Sequence, residues 1–238
     1  MIRVGTIRYH NGQKIFPSYP NFKPIEVMTA STEYGELGPY QLKDEQGRIM
    51  ENIFQFAKCY KRVPKVVQKY SRWNNTIIWE HPEEIHMDEK GNLTQEFWNW
   101  RYKGMNNKYA VRYPVGYNRE MRASCQYCLW NDEKLDYVES RKKIYVPVYQ
   151  KLAKQQSKFK KLKDMLNQGI NLLIMEVDGP QQESLDYYKE TYEVKDNFIV
   201  NHTIEVTPEN MSIMLYDTKH PFGHGFCLSM ALLDYEIE

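Results

Sequence analysis

Residues 50–64 read Met50-Glu51-Asn52-Ile53-Phe54-Gln55-Phe56-Ala57-Lys58-Cys59-Tyr60-Lys61-Arg62-Val63-Pro64, and the interpretation of the whole chain turns on them. Ile53, Phe54 and Ala57 recur at helical spacing and predict an apolar stripe facing a core. Glu51, Gln55 and Lys58 follow one another at steps of four and three, which places an acid, an amide and an amine on one neighbouring helix face. Side chains held on a rigid element suit a binding or catalytic site. The same letters also have a purely local reading. In it Glu51 near the helix start and Lys58 near its end complement the dipole and meet only water.

Upstream of this stretch, Ile2–Tyr9 alternates and carries Ile2, Val4 and Ile7, so it predicts a short strand closed by a turn at His10-Asn11-Gly12. Phe16–Val27 contains Pro17, Pro20 and Pro24 and is expected to be extended. Leu37–Leu42 reads as extended too, with a turn at Asp44–Gly47 leading into the helix. Downstream, Lys65–Trp79 is expected to begin helical through Val66, Val67 and Tyr70 and to end as an apolar stretch at Ile77–Trp79. Glu80–Glu84 and Asp88–Asn92 read as polar connections. Thr94 is an N-cap for a helix from Gln95 to about Asn106, and Ala110–Gly116 predicts a strand running into a turn.

In the second half Val148, Leu152, Phe159, Leu162 and Leu166 predict one long amphipathic helix, with Pro147 in its first turn and Gly169 at its end. Lys154, Lys158, Lys160, Lys161 and Lys163 cover its other side. They read as a solvated basic face, and as the first place to look if nucleic acid binds. Leu172–Val177 is a buried strand ended by Asp178-Gly179-Pro180. On a continuing strand Glu176 and Asp178 point to the same side, although Asp178 also suits the turn itself. Phe198–Glu205 is strand-like. A Gly-rich entry, Phe222-Gly223-His224-Gly225, leads into an apolar helix from about Phe226 to Leu233, where backbone N–H groups could meet a phosphate.

Composition narrows the function classes. The chain has 238 residues with 42% apolar and 14% aromatic, enough to bury a sizeable core and too apolar for a disordered tail. Thirty-two Lys and Arg balance 31 Asp and Glu, a formal net charge of +1, so no global attraction to nucleic acid is indicated. Nineteen Tyr and five Trp are mostly core, with some available for stacking on bases. Cys125-Gln126-Tyr127-Cys128 is a lone Cys-x-x-Cys without a second ligand pair. His220 and His224 are interrupted by Pro221 and Gly223. No metal site and no cofactor are expected, and the four cysteines are expected to be reduced thiols. No apolar run approaches the roughly 20 residues of a membrane span, and Met1–Gly5 does not resemble a signal peptide. The sequence therefore predicts a cytoplasmic protein with no membrane partner.

The helix Glu51-x-x-Phe54-Gln55-x-x-Lys58 resembles the Glu-x-x-Phe-Gln-x-x-Lys helix of the NADAR superfamily, the NAD- and ADP-ribose-associated N-glycosidases. Tyr19-Pro20-Asn21-Phe22-Lys23-Pro24 is similar to that family's Phe-Ser-Asn-Phe segment and its following proline. Trp98 to Met105 with Lys108-Tyr109 is loosely similar to its Trp…Met…Lys-Phe helix. Leu172–Glu176 is similar to its Leu-Val-Glu strand, and Phe222-Gly223-His224-Gly225 to its Trp-Gly-x-Gly motif. The match runs from about residue 16 to 233, with insertions near 61–95 and 112–163. Two positions depart from the pattern: Lys219 stands where the family has an acid, with Asp217 two residues earlier, and Phe222 replaces the Trp.

This resemblance implies an α+β, mainly helical single domain over residues 1–238 with a few short strands. It also implies cleavage of a ribose C1–N bond in an ADP-ribosylated base or a phosphorylated nucleoside-like substrate, free or carried on nucleic acid. The reaction passes through an oxocarbenium-like state, which a nearby carboxylate favours by charge and by activating water. Glu51 is the implied catalytic carboxylate, with Asp178 or Asp217 as second acid. Lys58 and Lys219 are implied phosphate holders, and Trp98 and Phe222 stacking surfaces. Phe22, Gln55, Lys108, Glu176, Gly223 and Gly225 complete the implied substrate-binding set. Transfer of the ribosyl group to another acceptor in the same cleft, or a non-catalytic nucleotide- or nucleic-acid-binding module, are the alternatives. Lys219 at the acid position favours the last.

Overall fold

Two runs far apart in sequence build the centre of the first unit of the molecule. Ile2–Thr6 and Leu172–Glu176 are buried at every position, as expected for strands covered on both faces. They pair in parallel, with Ile2 opposite Leu172 and Thr6 opposite Glu176. Thr203–Glu205 adds antiparallel to the free edge of Ile2–Thr6, and Lys23–Glu26 adds in parallel beyond Leu172–Glu176, giving a four-stranded sheet. The helix His224–Leu232 is buried on all sides. An all-round apolar helix belongs inside a core, and this one packs on both central strands and against the helices Val146–Ala153 and Ser157–Asn167.

The computed structural model describes residues 1–28 and 30–235. It is an α+β fold with several small sheets, and its chain divides into two compact units, Met1–Gln41 with Val146–Glu238, and Leu42–Tyr145. Strands are more numerous than the sequence led us to expect. Among the described residues no helix is long and apolar enough to cross a membrane.

Within the first unit several local expectations hold and several are revised. The strand expected over Ile2–Tyr9 breaks at Ile7, and Arg8–His10 pairs instead with Gln13–Ile15. Asn11 and Gly12 both adopt positive φ between them, the geometry that a two-residue hairpin turn requires. The single long helix expected between Pro147 and Gly169 is two helices. Tightened bonds from Gln155 N–H to the Leu152 carbonyl and from Gln156 N–H to the Ala153 carbonyl end the first, and Gln156 is extended before the second begins. Two lysines of this second helix have close acidic partners: Lys161 reaches Glu33 at 2.6 Å and Lys163 reaches Asp234 at 2.5 Å. Of the strand-like piece Phe198–Glu205 only Thr203–Glu205 is a strand, because Asn201 and His202 turn with positive φ.

The second unit opens with the helix Met50–Gln55. It is shorter than expected, since Lys58 and Cys59 pair with Cys128 and Tyr127 in a three-stranded sheet completed by Glu133–Leu135. The segment Lys65–Trp79 is not helical. Val66–Lys69 alternates buried and exposed, the period of a strand, and pairs antiparallel with Ile77–His81. A second small ladder joins Arg62–Val63 to Glu84–Ile85. Gln95–Met105 is helical and capped by Thr94 as expected. Ala110–Gly116 is not a strand. Its Val111 N–H donates to the Asn52 side chain at 2.8 Å, and Asn52 Nδ2 donates to the carbonyls of Asn107 and Tyr109. A fully buried asparagine thus satisfies backbone groups that a ladder would otherwise need. Phe56, Trp79 and Trp100 stack edge-on at the centre of this unit, and a Cβ on Gly104 would overlap the Phe56 ring.

Candidate functional site

In the second unit Glu51 lies in the first turn of Met50–Gln55 and is 7% exposed. Its Oε1 accepts from Gln55 Nε2 at 2.9 Å, and Gln55 Oε1 accepts from Lys58 Nζ at 2.9 Å. The amide therefore relays between acid and amine, and the three side chains that the sequence placed on one face are connected in space. Lys58 Nζ also sits 4.9 Å above the Phe54 ring, a cation–π contact that helps hold it. Beyond Lys58 are three thiols. Burial pushes Cys59 up to about 12. The Cys125 side chain holds the Cys128 thiol down, to about 7, aided by the charges of Lys58 and Arg101. Trp98 is 43% exposed and leans edge-on against Phe97. Lys108 is exposed, with its Nζ over the Tyr109 ring.

In the first unit Glu176 ends its strand, and the Gly-His-Gly turn wraps around its carboxylate. Gly225 N–H donates to Oε1 at 2.8 Å, and His224 Nδ1 lies 3.1 Å from Oε2. A Cβ on Gly225 would come within 2.6 Å of Oε1, and one on Gly223 would overlap the carboxylate. The glycines are therefore needed for close approach. His224 Nε2 is 2.8 Å from the Val27 carbonyl, which can only accept, so Nε2 carries a proton. Nδ1 faces a carboxylate, which favours a proton there as well. Burial opposes charging this imidazole. The charge and hydrogen bond of Glu176, the Val27 carbonyl and the charge of Asp178 outweigh it and raise its pKa above the ordinary histidine value. Asp178 is half-buried in the turn after the strand.

Asp217 is buried at the end of the helix Pro208–Tyr216. It receives Tyr188 Oη at 2.7 Å, Tyr187 Oη at 2.9 Å, the Lys219 N–H at 2.9 Å and the His220 ring at 2.7 Å. Burial works to raise its carboxyl, but these donors prevail and hold it below the usual carboxylate value. Lys219 Nζ lies 4.0 Å above the Tyr187 ring. Phe222 is buried and stacked on Phe226. Phe22 packs against Ile7, Leu173 and Met175 and meets Tyr19 edge-on.

Sequence reasoning missed one group altogether. His81, Glu84 and His86, all in the second unit, bring ligand-type atoms within 4.8 Å of one another. No local signal marks it, because His81 belongs to the ladder with Val66–Lys69 and Glu84 to the ladder with Arg62–Val63, and only the two together gather these residues.

Comparison of the chain with models of known families, with curated proteins and with solved structures finds no match.

Proposed function

We propose that this protein is an N-glycosidase-like hydrolase, a divergent relative of the NADAR superfamily, that cleaves a ribose C1–N bond in an ADP-ribosylated base or a phosphorylated nucleoside-like substrate. The observation that carries this reading is the buried Glu51 carboxylate oriented through Gln55 by Lys58. Fixing one oxygen by a side chain of the same helix turns the carboxylate into a pre-oriented base for water and a counter-charge for an oxocarbenium-like state. Lys58 supplies positive charge for a phosphate, and the exposed Trp98 a flat surface for a base. Asp217, with four donors on its carboxylate, positions the loop that carries Lys219.

A non-catalytic nucleotide-binding module is the second reading. It is favoured by Lys219, a cation at the position where the family has an acid, together with the engagement of Asp217 by tyrosines and histidine. The test is a paired assay of wild type and Glu51→Gln on ADP-ribosylated guanine in DNA and on a phosphorylated aminopyrimidine riboside, following release of base or ADP-ribose. The hydrolase reading expects turnover by wild type and a loss of about 10²–10⁴-fold in a folded variant, the usual contribution of a positioned acid–base group. Retained ADP-ribose binding with no turnover by either protein would instead establish the binding module. Product carried on an acceptor other than water would make the enzyme a transferase.

A further inference from the structure

The segment His81-Pro82-Glu83-Glu84-Ile85-His86 crosses from the strand Ile77–His81 to the strand Glu84–Ile85. His81 Nε2 lies 3.1 Å from Glu84 Oε2, and His86 Nε2 lies 3.4 Å from the same oxygen. These spacings are short, yet none of them is a hydrogen bond. His81 Nε2, Glu84 Oε2 and both ring nitrogens of His86 are buried without a hydrogen-bond partner, although His81 is 4% exposed and His86 fully buried. Leaving such atoms unmatched is costly, about 1–3 kcal/mol for each buried group, and natural interiors rarely tolerate it. His81 Nε2, Glu84 Oε2 and His86 Nε2 are spaced along two of their three edges as ligands of one metal ion would be, and the ligand atoms of the whole group lie within 4.8 Å of one another. Donors about 2.0–2.1 Å from a tetrahedral zinc ion are separated from one another by about 3.3 Å. The two measured separations bracket that value.

We propose that His81, Glu84 and His86 form a binding site for one divalent transition-metal ion of the zinc type. Two imidazoles and a carboxylate furnish three ligands, and a water or a substrate atom takes the fourth. Several features of the surroundings fit this role. Burial holds both imidazoles down to about 4, so each is neutral with a lone pair to give. The ligands stand on fixed backbone: His81 is opposite Val66, Glu84 is opposite Val63, and His86 donates its N–H to the Lys61 carbonyl while its own carbonyl accepts from Thr94 N–H. Trp79 stacks on His81 at an interplanar angle of 13°, and Phe97 and Trp100 flank His86. Rings fixed in this way cannot swing to other partners, which is the preorganisation a metal site needs. Glu96, in the first turn of the helix Gln95–Met105, adds negative potential at Glu84 and His86. Imidazole with carboxylate is a donor set suited to zinc and its borderline neighbours rather than to calcium or magnesium.

The test uses the full chain, stripped with chelator and titrated with zinc ion alone, then with cobalt ion alone. The proposal expects one equivalent of zinc per chain and a visible cobalt absorption of the tetrahedral kind. His86→Leu and the half-buried, near-isosteric Glu84→Gln should each weaken zinc by at least about 100-fold, since loss of even an outer partner costs 10–100-fold. Cys125→Ser and Cys128→Ser should leave the affinity unchanged. Because Glu84→Gln preserves size, its effect on zinc affinity is read without the repacking that His86→Leu brings. Absence of stoichiometric zinc binding would overturn the proposal. So would zinc binding that survives Glu84→Gln and His86→Leu but is lost with the cysteine variants.

Discussion

Each unit of the molecule buries a cluster of histidine and glutamate, and the two clusters are finished differently. Around Glu176 the carboxylate oxygens meet Gly225 N–H and His224, and the other histidine nitrogen meets the Val27 carbonyl. Around Glu84 the atoms face one another at similar distances, yet four of them have no hydrogen bond. The contrast separates two uses of buried polar groups. A closed network specifies architecture, here how the helix His224–Leu232 enters the sheet, whereas an open one is built for something that arrives later.

The same substitution made in both clusters should break the comparison if it is false. His224→Leu leaves Glu176 buried without its counter-charge and should cost about 3–5 kcal/mol, read as a large fall in urea midpoint at constant slope. Gly104→Ala, which drives a methyl into the Phe56 ring boxed by Trp79 and Trp100, should cost about 1–3 kcal/mol. That result would show the second unit to be as tightly packed as the first, so any tolerance at its histidines is not general looseness. Smaller again is the pH dependence of the closed cluster. The raised pKa of His224 means that its contribution is complete below the unfolded histidine value of about 6.5 and declines as pH rises through the folded value. Urea midpoints should fall over that window in wild type, and His224→Leu should remove that part of the slope. The smallest net effect is expected from His86→Leu in metal-stripped protein, within about 1 kcal/mol of wild type, because relief of two unmatched ring nitrogens offsets the cost of reshaping a buried, packed position.

Much of the first unit was legible in the sequence. Leu172–Glu176 announced itself as a continuous apolar run, and the closing helix by its lack of any polar face. The turn at His10-Asn11-Gly12 followed from turn chemistry, whereas the return strand Gln13–Ile15 did not. In the second unit, Glu51 and Gln55 share a helix as their spacing predicts, whereas Lys58 lies beyond the helix end and meets Gln55 from a strand. What was not legible depended on long-range partners. Val66 and Val67 suit either element until Ile77–His81 pairs with them. Asn52 gives no sign in the sequence that it will hold residues 107–111. His81, Glu84 and His86 lack the four-residue step of a helical ligand pair and acquire meaning only once two ladders meet at Pro82. Fixed residues such as Asp217 carry the same lesson: an acid found by motif can prove to be held by Tyr187, Tyr188 and His220.

The most direct test of the distinction between closed and open clusters is urea unfolding of chelator-stripped wild type and His86→Leu, each with and without excess zinc ion. A ligand at 100 times its dissociation constant adds about 2.7 kcal/mol to the state that binds it. The account predicts that zinc raises the wild-type midpoint by an amount of that order and leaves the His86→Leu midpoint where it was. Equal shifts in both proteins, or no shift in wild type, would contradict it.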